Sequence, residues 1–327
     1  MRISIGKNLL FLLLCLSCSA LAAGTIHRVM AGASGTGKSW KDASGDLGAV
    51  LAAAKAGDEV WVGAGTYHPS PDSNRLARFT VPDGVAVYGG FAGREQRRQE
   101  RNWQTNPTLL SGNIGHPDSV NDNSYTIVYF ERVGEGTVLD GFTLTAANAN
   151  GFEYGVDPSV AGGAVFNNAR GGESSPLIRN CTFLENRARK GAAIYNWAKD
   201  GTSSARIENC AFVDNRADFN GGALLNNGDG GSCNVTITDC SFVNNYASYG
   251  GAIYNRGKRG ECMPRLNTVT FKGNRTGMSG SVLYNKRSPG DRIYAFMEDC
   301  RIDENFATVG NVVENNGLAA AKAAGVR

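Results

Sequence analysis

A repeat of about thirty residues constrains the fold of this chain more than any other feature of its sequence. Asparagines close successive repeats at spacings of 29, 30, 29, 30 and 30 residues. They are Asn167, Asn196, Asn226, Asn255, Asn285 and Asn315. A second column inside the repeats holds Asn186, Asn215, Asn245, Asn274 and Asn305. Such regularity predicts one structural unit per repeat, stabilised by stacking on its neighbours.

Two apolar columns run beside the asparagines and lie two residues apart. The first column holds Cys181, Cys210, Cys240, Val269 and Cys300, and the second holds Phe183, Phe212, Phe242, Phe271 and Ile302. This spacing is typical of short strands with one face turned inward. Asn and Gly tolerate the left-handed bends between strands. Each repeat is therefore interpreted as one coil of a parallel β-helix, with three short strands and three bends.

The rest of the chain is predicted to extend and cap this stack. Residues 58–145 are interpreted as irregular first coils, in which Phe142 and Leu144 continue the two apolar columns, and residues 146–316 as the regular coils. Residues 23–57 would form a lead-in and a capping α-helix from Asp46 to Lys55, stopped by Gly57. Its apolar face would hold Leu47, Val50, Leu51 and Ala54. Residues 317–327 are a tail or a second cap.

The N-terminus has the pattern of a secretory signal peptide. Arg2 and Lys7 precede the apolar run Leu9–Leu16, and Ala20–Ala22 gives an A-x-A cleavage site. We therefore assign residues 1–22 to the signal and expect export. The remaining 31 Lys and Arg against 30 Asp and Glu leave the protein near neutral, which argues against nucleic-acid binding. No later segment is apolar enough to span a membrane.

The segment Gly32–Ser39 satisfies the Walker A pattern G-x-x-x-x-G-K-S. In a nucleotide-binding protein this loop follows a strand and its helix begins at the Lys and Ser. Here the predicted helix begins only near Asp46. We therefore expect a glycine-rich lead-in without nucleotide binding, and we expect Trp40 to pack on the capped end.

The coils of the form NCxFxxN…GGAIYN resemble the repeats of polymorphic outer-membrane-protein-type β-helix proteins of bacteria. These have the right-handed, pectin-lyase-like fold. "GVAVYGGFAGRE" and "RNWQTNPTLLSGNI" also resemble the front part of such proteins. The resemblance implies an all-β, single-stranded right-handed parallel β-helix, secreted, periplasmic or attached to the bacterial cell surface or outer membrane, with adhesive roles common. Autotransporter members carry a C-terminal β-barrel. This chain stops twelve residues after Asn315, so we expect no anchoring by that route.

Two functional hypotheses follow from the residues. The first is a non-enzymatic adhesion or carbohydrate-binding module for a polysaccharide or host-surface ligand, with Trp197, Phe219, Tyr246, Tyr249 and Phe306 as surface aromatics. The second is a lyase acting on a uronate polymer, with Arg187 and Arg216 as bases beside Glu185 and Asp214. The same four residues could equally form a solvated ion-pair lattice. The Asp-Asp and G-H-G motifs of polygalacturonase-like hydrolases are absent.

Three further segments raise expectations of their own. Asp118, Asp122 and Asn123 could bind calcium or belong to an ordinary turn-rich loop. The run Arg94–Arg101 is expected to be an exposed charged loop or helix rather than an anion site. Cys233 and Cys262 share one offset in adjacent repeats, which predicts a disulfide on loops outside the core. Cys181, Cys210 and Cys240 are expected to stay reduced within it.

Overall fold

The computed structural model describes residues 24–152 and 157–316 of the chain. These residues wind into a right-handed parallel β-solenoid with a single α-helix near its start, so the predicted fold is confirmed. The predicted signal peptide and the C-terminal tail lie outside the described residues.

The described chain forms thirty-six short strands. The first ten are β1 (Ile26–Val29), β2 (Glu59–Gly63), β3 (Gly65–Tyr67), β4 (Phe79–Thr80), β5 (Ala86–Phe91), β6 (Thr108–Ser111), β7 (Val128–Glu131), β8 (Val138–Asp140), β9 (Thr143–Thr145) and β10 (Asn148–Ala149). The next ten are β11 (Val165–Asn168), β12 (Glu173–Ser174), β13 (Leu177–Arg179), β14 (Thr182–Leu184), β15 (Arg187–Lys190), β16 (Ile194–Trp197), β17 (Thr202–Ser203), β18 (Arg206–Glu208), β19 (Ala211–Val213) and β20 (Arg216–Asn220). The last sixteen are β21 (Leu224–Asn227), β22 (Ser232–Cys233), β23 (Thr236–Thr238), β24 (Ser241–Val243), β25 (Tyr246–Tyr249), β26 (Ile253–Arg256), β27 (Glu261–Cys262), β28 (Arg265–Asn267), β29 (Thr270–Lys272), β30 (Arg275–Ser279), β31 (Leu283–Lys286), β32 (Arg292–Ile293), β33 (Phe296–Glu298), β34 (Arg301–Asp303), β35 (Phe306–Ala307) and β36 (Val313–Asn316).

Five parallel sheets run along the stack. Sheet I has the order β1-β2-β5-β8-β13-β18-β23-β28-β33, and sheet II the order β3-β6-β9-β14-β19-β24-β29-β34. Sheet III has the order β10-β15-β20-β25-β30-β35, sheet IV the order β4-β7-β11-β16-β21-β26-β31-β36, and sheet V the order β12-β17-β22-β27-β32. The expectation of three strands per coil was wrong, because a regular coil contributes one strand to each of the five sheets. Strands of two to five residues leave too little alternation to be recognised.

The predicted columns stack in register inside the solenoid. Phe183, Phe212, Phe242 and Phe271 are fully buried, and successive ring centroids lie 4.7, 4.5 and 5.1 Å apart with nearly parallel planes. Such offset stacks add to the free energy gained by burying the rings. The stack forms the centre of a core that runs along most of the solenoid.

Both asparagine columns form buried hydrogen-bonded ladders. At the bend between sheets II and III, Asn215 donates from Nδ2 to Phe183 O at 2.9 Å and to Asn245 Oδ1 at 3.0 Å. In the column that closes the repeats, Asn196 Nδ2 donates to Asn226 Oδ1 at 2.9 Å. Asparagine favours bends, so this column was also expected at a bend, but it lies within the strands of sheet IV. Each ladder satisfies buried polar groups along the stack.

Cys233 and Cys262 do not lie on loops outside the core, as the sequence suggested. They belong to β22 and β27 of sheet V, are fully buried, and are free thiols, so the predicted disulfide is not formed. Their column continues with Ser174, Ser203 and Ile293. A two-residue strand offers one inward position per coil, and that position carries no constant residue type. The reduced state expected for Cys181, Cys210 and Cys240 agrees with the structure.

One helix, α1 (Leu47–Ala53), lies at the N-terminal end of the solenoid. The side chain of Asp46 caps it by accepting from Ala49 N at 2.9 Å, as predicted. The helix ends at Ala53, two residues before the predicted Lys55. Leu47, Val50 and Leu51 are buried in the main core, so α1 covers apolar groups that the first coil leaves open.

Candidate functional site

The four residues proposed for lyase chemistry stack in columns but do not contact one another as acid–base pairs. Arg187 and Arg216 are exposed neighbours in register on sheet III. Glu185 and Asp214 occupy the preceding bend with φ of 54° and 53°. The ion pairs formed among the described residues do not join these acids to these arginines. The four side chains therefore lie apart on an open face, without the contacts of an ion-pair lattice.

Four of the five surface aromatics lie on sheet III beside these arginines. Arg216 lies 4.6 Å above the Tyr246 ring, and Arg189 lies 5.2 Å above the Phe219 ring. Phe306 is 59 % exposed and ends the same column. Trp197 is the exception: it belongs to sheet IV and packs edge-on against Phe166. Sheet III thus presents an arginine–aromatic face, a feature that the sequence predicted only as separate side chains.

A different surface of the solenoid is concave. At the bend between sheets I and II, three adjoining hollows of about 540, 320 and 270 Å³ share Asn180 as a lining residue. We call them together the bend groove. Its upper rim is the column Asn180, Asn209, Asp239 and Thr268, all with φ near 50°. Its floor is the small-residue column Thr182, Ala211, Ser241 and Thr270.

The rim amides are ordered by hydrogen bonds that end on a buried carboxylate. Asn209 Nδ2 donates to Asn180 Oδ1 at 2.7 Å, and Asn180 Nδ2 donates to Asp140 Oδ1 at 2.7 Å. Asp140 is fully buried and pairs with Arg101 at 2.6 Å and Arg179 at 2.7 Å. The Asp140 contact raises the pKa of Arg179, although burial opposes the charge. The network fixes the orientation of the amides that face the groove.

Trp103 forms the wall at one end of the bend groove. It is half-buried, and the Arg101 guanidinium lies 5.0 Å from the centre of its ring. Gly90 and Gly141 make this placement possible, because a side chain on Gly90 would collide with the Trp103 backbone at 2.7 Å. Gly141 has a φ of 86°, and a Cβ there would lie 2.5 Å from Arg101. Trp103 is therefore an aromatic wall placed beside ordered amides.

Sequence reasoning missed Trp103 and misjudged part of the segment before it. The run Arg94–Arg101 was expected to be exposed, and Arg97 is, but this was wrong for Arg101, whose side chain is 7 % exposed. The non-repeating segment carries no register signal that would place Arg101 beside Asp140. The only available signal was the likeness of "RNWQTNP" to the family, which does not indicate a role.

The Walker-like segment forms turns at the start of the chain. Gly32 and Gly37 have φ of 76° and 86°, and Ser39 Oγ accepts from Asp42 N at 3.2 Å to cap a short 3-10 helix, Trp40–Asp42. Trp40 packs against Phe91 with centroids 5.5 Å apart and donates to Glu95 O. It therefore packs on the outer flank of sheet I, beside the first strands of the stack.

The calcium candidates lie in the loop between β6 and β7. Asp118 is exposed, Asp122 is half-buried and Asn123 is 3 % exposed. Within residues 24–152 and 157–316, no group of three or more His, Cys, Asp or Glu side chains is placed to hold a metal ion.

The comparisons with known proteins agree with the architecture. A family model described as a right-handed beta helix region matches residues 120–275, in agreement with the right-handed parallel β-solenoid of the structure. No curated protein and no solved structure matches the chain. In the part of the chain that the structure describes, no helix has the length and apolar character required to cross a membrane.

Proposed function

We propose that this β-helix protein is an exported, non-enzymatic module that binds a carbohydrate chain in the bend groove. The observation that carries the proposal is the groove itself, where the Trp103 wall stands at the end of a row of ordered amides and hydroxyls. Binding sites for small ligands combine an apolar wall with a few fixed polar groups. A cell-surface or secreted location, with an adhesive role, agrees with this activity.

The dimensions and charge of the groove favour an extended, neutral glycan. Four successive floor residues at the strand spacing of about 4.8 Å span roughly 15 Å along the stack. The largest of the three hollows, to which we assign the ligand, is lined by one carboxylate, Asp239, and by no Lys or Arg; the arginines of the groove, Arg98, Arg101 and Arg179, line the two smaller hollows. A uronate polymer would bring further negative charge to Asp239, whereas neutral sugar hydroxyls can exchange hydrogen bonds with amides and threonines.

The lyase hypothesis has less support. Arg187 and Arg216 do not line any of the three hollows. A base must reach the proton it removes within hydrogen-bond distance, which is difficult for a flexible side chain on an open face. The arginine–aromatic face could instead bind an acidic polymer, which is the competing site in the test below.

The test is titration of the full chain with neutral gluco-oligosaccharides and with oligogalacturonates, followed by tryptophan fluorescence and calorimetry. We expect binding of the neutral ligand and a loss of about tenfold in affinity, or about 1.4 kcal/mol, in Trp103→Ala. Phe219→Ala, on sheet III, is the matched control and should bind normally. A loss confined to Phe219→Ala or Arg216→Ala would move the site to sheet III. Ultraviolet-absorbing unsaturated products that disappear in Arg216→Ala would establish the lyase instead.

A further inference from the structure

The loop between β6 and β7 contains an unusual concentration of unpaired oxygen atoms. Six buried side-chain polar atoms lack a hydrogen-bond partner among the described residues, and four of them belong to residues 113–124. The four are Asn113 Oδ1, Asp122 Oδ1, Asn123 Oδ1 and Ser124 Oγ. Asn123 is 3 % exposed and Ser124 is fully buried. Because an unpaired buried acceptor destabilises the folded protein, such a cluster calls for a bound partner.

The second polar atom of the Asn113, Asp122 and Asn123 side chains already has a hydrogen-bond partner in the loop or in the neighbouring bend. Asn123 Nδ2 donates to Ala146 O at 2.7 Å, and Asn113 Nδ2 donates to Pro117 O at 3.3 Å. Asp122 Oδ2 accepts from His116 N at 2.8 Å. Each amide thus donates from Nδ2, and one Asp122 oxygen accepts, while Asn113 Oδ1, Asn123 Oδ1 and Asp122 Oδ1 have no partner among the described residues. Amide and carboxylate oxygens are the ligands that a hard cation prefers.

Backbone contacts bring the two ends of the loop together. Ser124 N donates to Gly112 O at 2.8 Å, so Asn123 and Ser124 lie beside the chain that leads into Asn113. Gly115 packs against the Asp122 carboxyl group so closely that a Cβ there would lie 2.4 Å from Oδ2. The loop is thus folded around the Asp122 carboxylate, with the amides of Asn113 and Asn123 on adjoining segments.

We propose that this loop binds a calcium ion through Asn113 Oδ1, Asp122 Oδ1 and Asn123 Oδ1, with the Ser124 hydroxyl as a further oxygen. Calcium accepts six to eight oxygen ligands in flexible geometry, so water and backbone carbonyls would complete the shell. Magnesium fits less well, because it requires near-ideal octahedral geometry and holds its waters tightly.

The structure revises the ligand set that the sequence indicated. Asp118 is exposed and its backbone N–H donates to His116 Nδ1, so Asn113 takes its place in the set. Arg75 donates to the backbone carbonyl of Asn123 at 2.7 Å and brings a positive charge close to the loop. With one carboxylate and this nearby cation, we expect a Kd of about 10⁻⁴–10⁻³ M, the range of extracellular calcium modules.

Calcium in this position would tie the loop to the start of the regular coils, since Asn123 contacts Ala146. The test is calorimetric titration of the EGTA-treated full chain with CaCl₂ and with MgCl₂, together with thermal unfolding. We expect saturable calcium binding and a rise in Tm of about 3–6 °C at 10 mM calcium, with a smaller effect of magnesium. The absence of both effects would leave buried water as the partner and overturn the proposal.

Matched variants locate the ion. Asp122→Asn keeps an acceptor for His116 N but removes the charge, and it should weaken calcium binding at least tenfold. Asp118→Asn removes the same charge from an exposed neighbour and should leave the affinity within about twofold. Equal losses in the two variants would contradict the assigned ligands. If Asp122→Asn fails to fold, Asn113→Asp decides, because an added carboxylate ligand must tighten calcium binding, and unchanged affinity rejects the site.

Discussion

The regular coils and the first coils of this solenoid share the same sheets but differ in how they are held together. In the regular coils, identical residues stack on identical residues, as in the Phe183–Phe271 column. In the first coils, single contacts between unlike residues replace the columns, such as the pairing of Arg101 with Asp140. Both candidate sites draw on the first coils: Trp103 ends the bend groove, and Asn113 and Asp122 belong to the loop. Repetition builds a uniform scaffold, and departures from it build the specific surfaces.

The asparagine ladder also changes where the first coils meet the regular coils. The asparagine ladder of the II–III bend ends at Ala147, whose backbone N–H donates to Asn186 Oδ1 at 3.2 Å. Alanine can occupy this place because its backbone alone supplies the donor that the last asparagine requires. Inside the ladder the side chain supplies donors and an acceptor to both neighbouring coils, so alanine should not be tolerated there.

The largest effect is expected from Asp140→Ala in the first coils. The substitution leaves the buried Arg101 guanidinium without its partner, which costs about 3–5 kcal/mol of the free energy of unfolding. Glu208, in the same outward column two coils further on, is half-exposed, and Glu208→Ala should change stability by about 0.5 kcal/mol or less. Denaturant unfolding of both variants checks this. If both variants lose the same free energy of unfolding, the buried ion pair of the first coils contributes no more to stability than an exposed charge of the regular coils.

Asn245→Ala should come next, at about 2–4 kcal/mol. It removes the Nδ2 bonds to Phe212 O and Asn274 Oδ1 and the Oδ1 acceptor used by Asn215, all of them buried. The neighbouring Asn244→Ala is the control, because Asn244 is exposed and has a φ of 55°, where alanine costs about 1 kcal/mol. If Asn244→Ala lowers the free energy of unfolding more than Asn245→Ala does, the asparagine ladder does not stabilise the coils as we expect.

Trp40→Ala should have the smallest of these effects, about 2 kcal/mol, since the half-buried ring loses one aromatic contact and one hydrogen bond. Lys38→Ala, in the Walker-like segment, should leave both stability and glycan binding unchanged. Thermal unfolding compares the two. If Lys38→Ala lowers Tm as much as Trp40→Ala, the lead-in contributes more to the first coils than its packing indicates.

The sequence was informative wherever a residue type recurs in each coil. The inward cysteines and phenylalanines and the asparagines of the II–III bend could be placed before any coordinate was known. It failed for Cys233 and Cys262, because sheet V offers one inward position per coil and fills it with serine, cysteine or isoleucine. It also failed for Arg101, whose partner Asp140 is 39 residues away in a region without repeats.

The repeat alone was enough to predict a β-helix, its period and the inward columns of Cys181 and Phe183, because stacked similar coils place equivalent side chains in equivalent surroundings. The positions of the two candidate sites, the bend groove and the loop between β6 and β7, depend on tertiary contacts that the repeat does not encode. Trp103 reaches the groove through a close approach of two non-repeating segments at Gly90. The segments that carry Asn113 and Asn123, which we propose as calcium ligands, lie side by side because Ser124 N donates to Gly112 O. Contacts of this kind depend on loop paths, and a periodic pattern contains no information about loop paths.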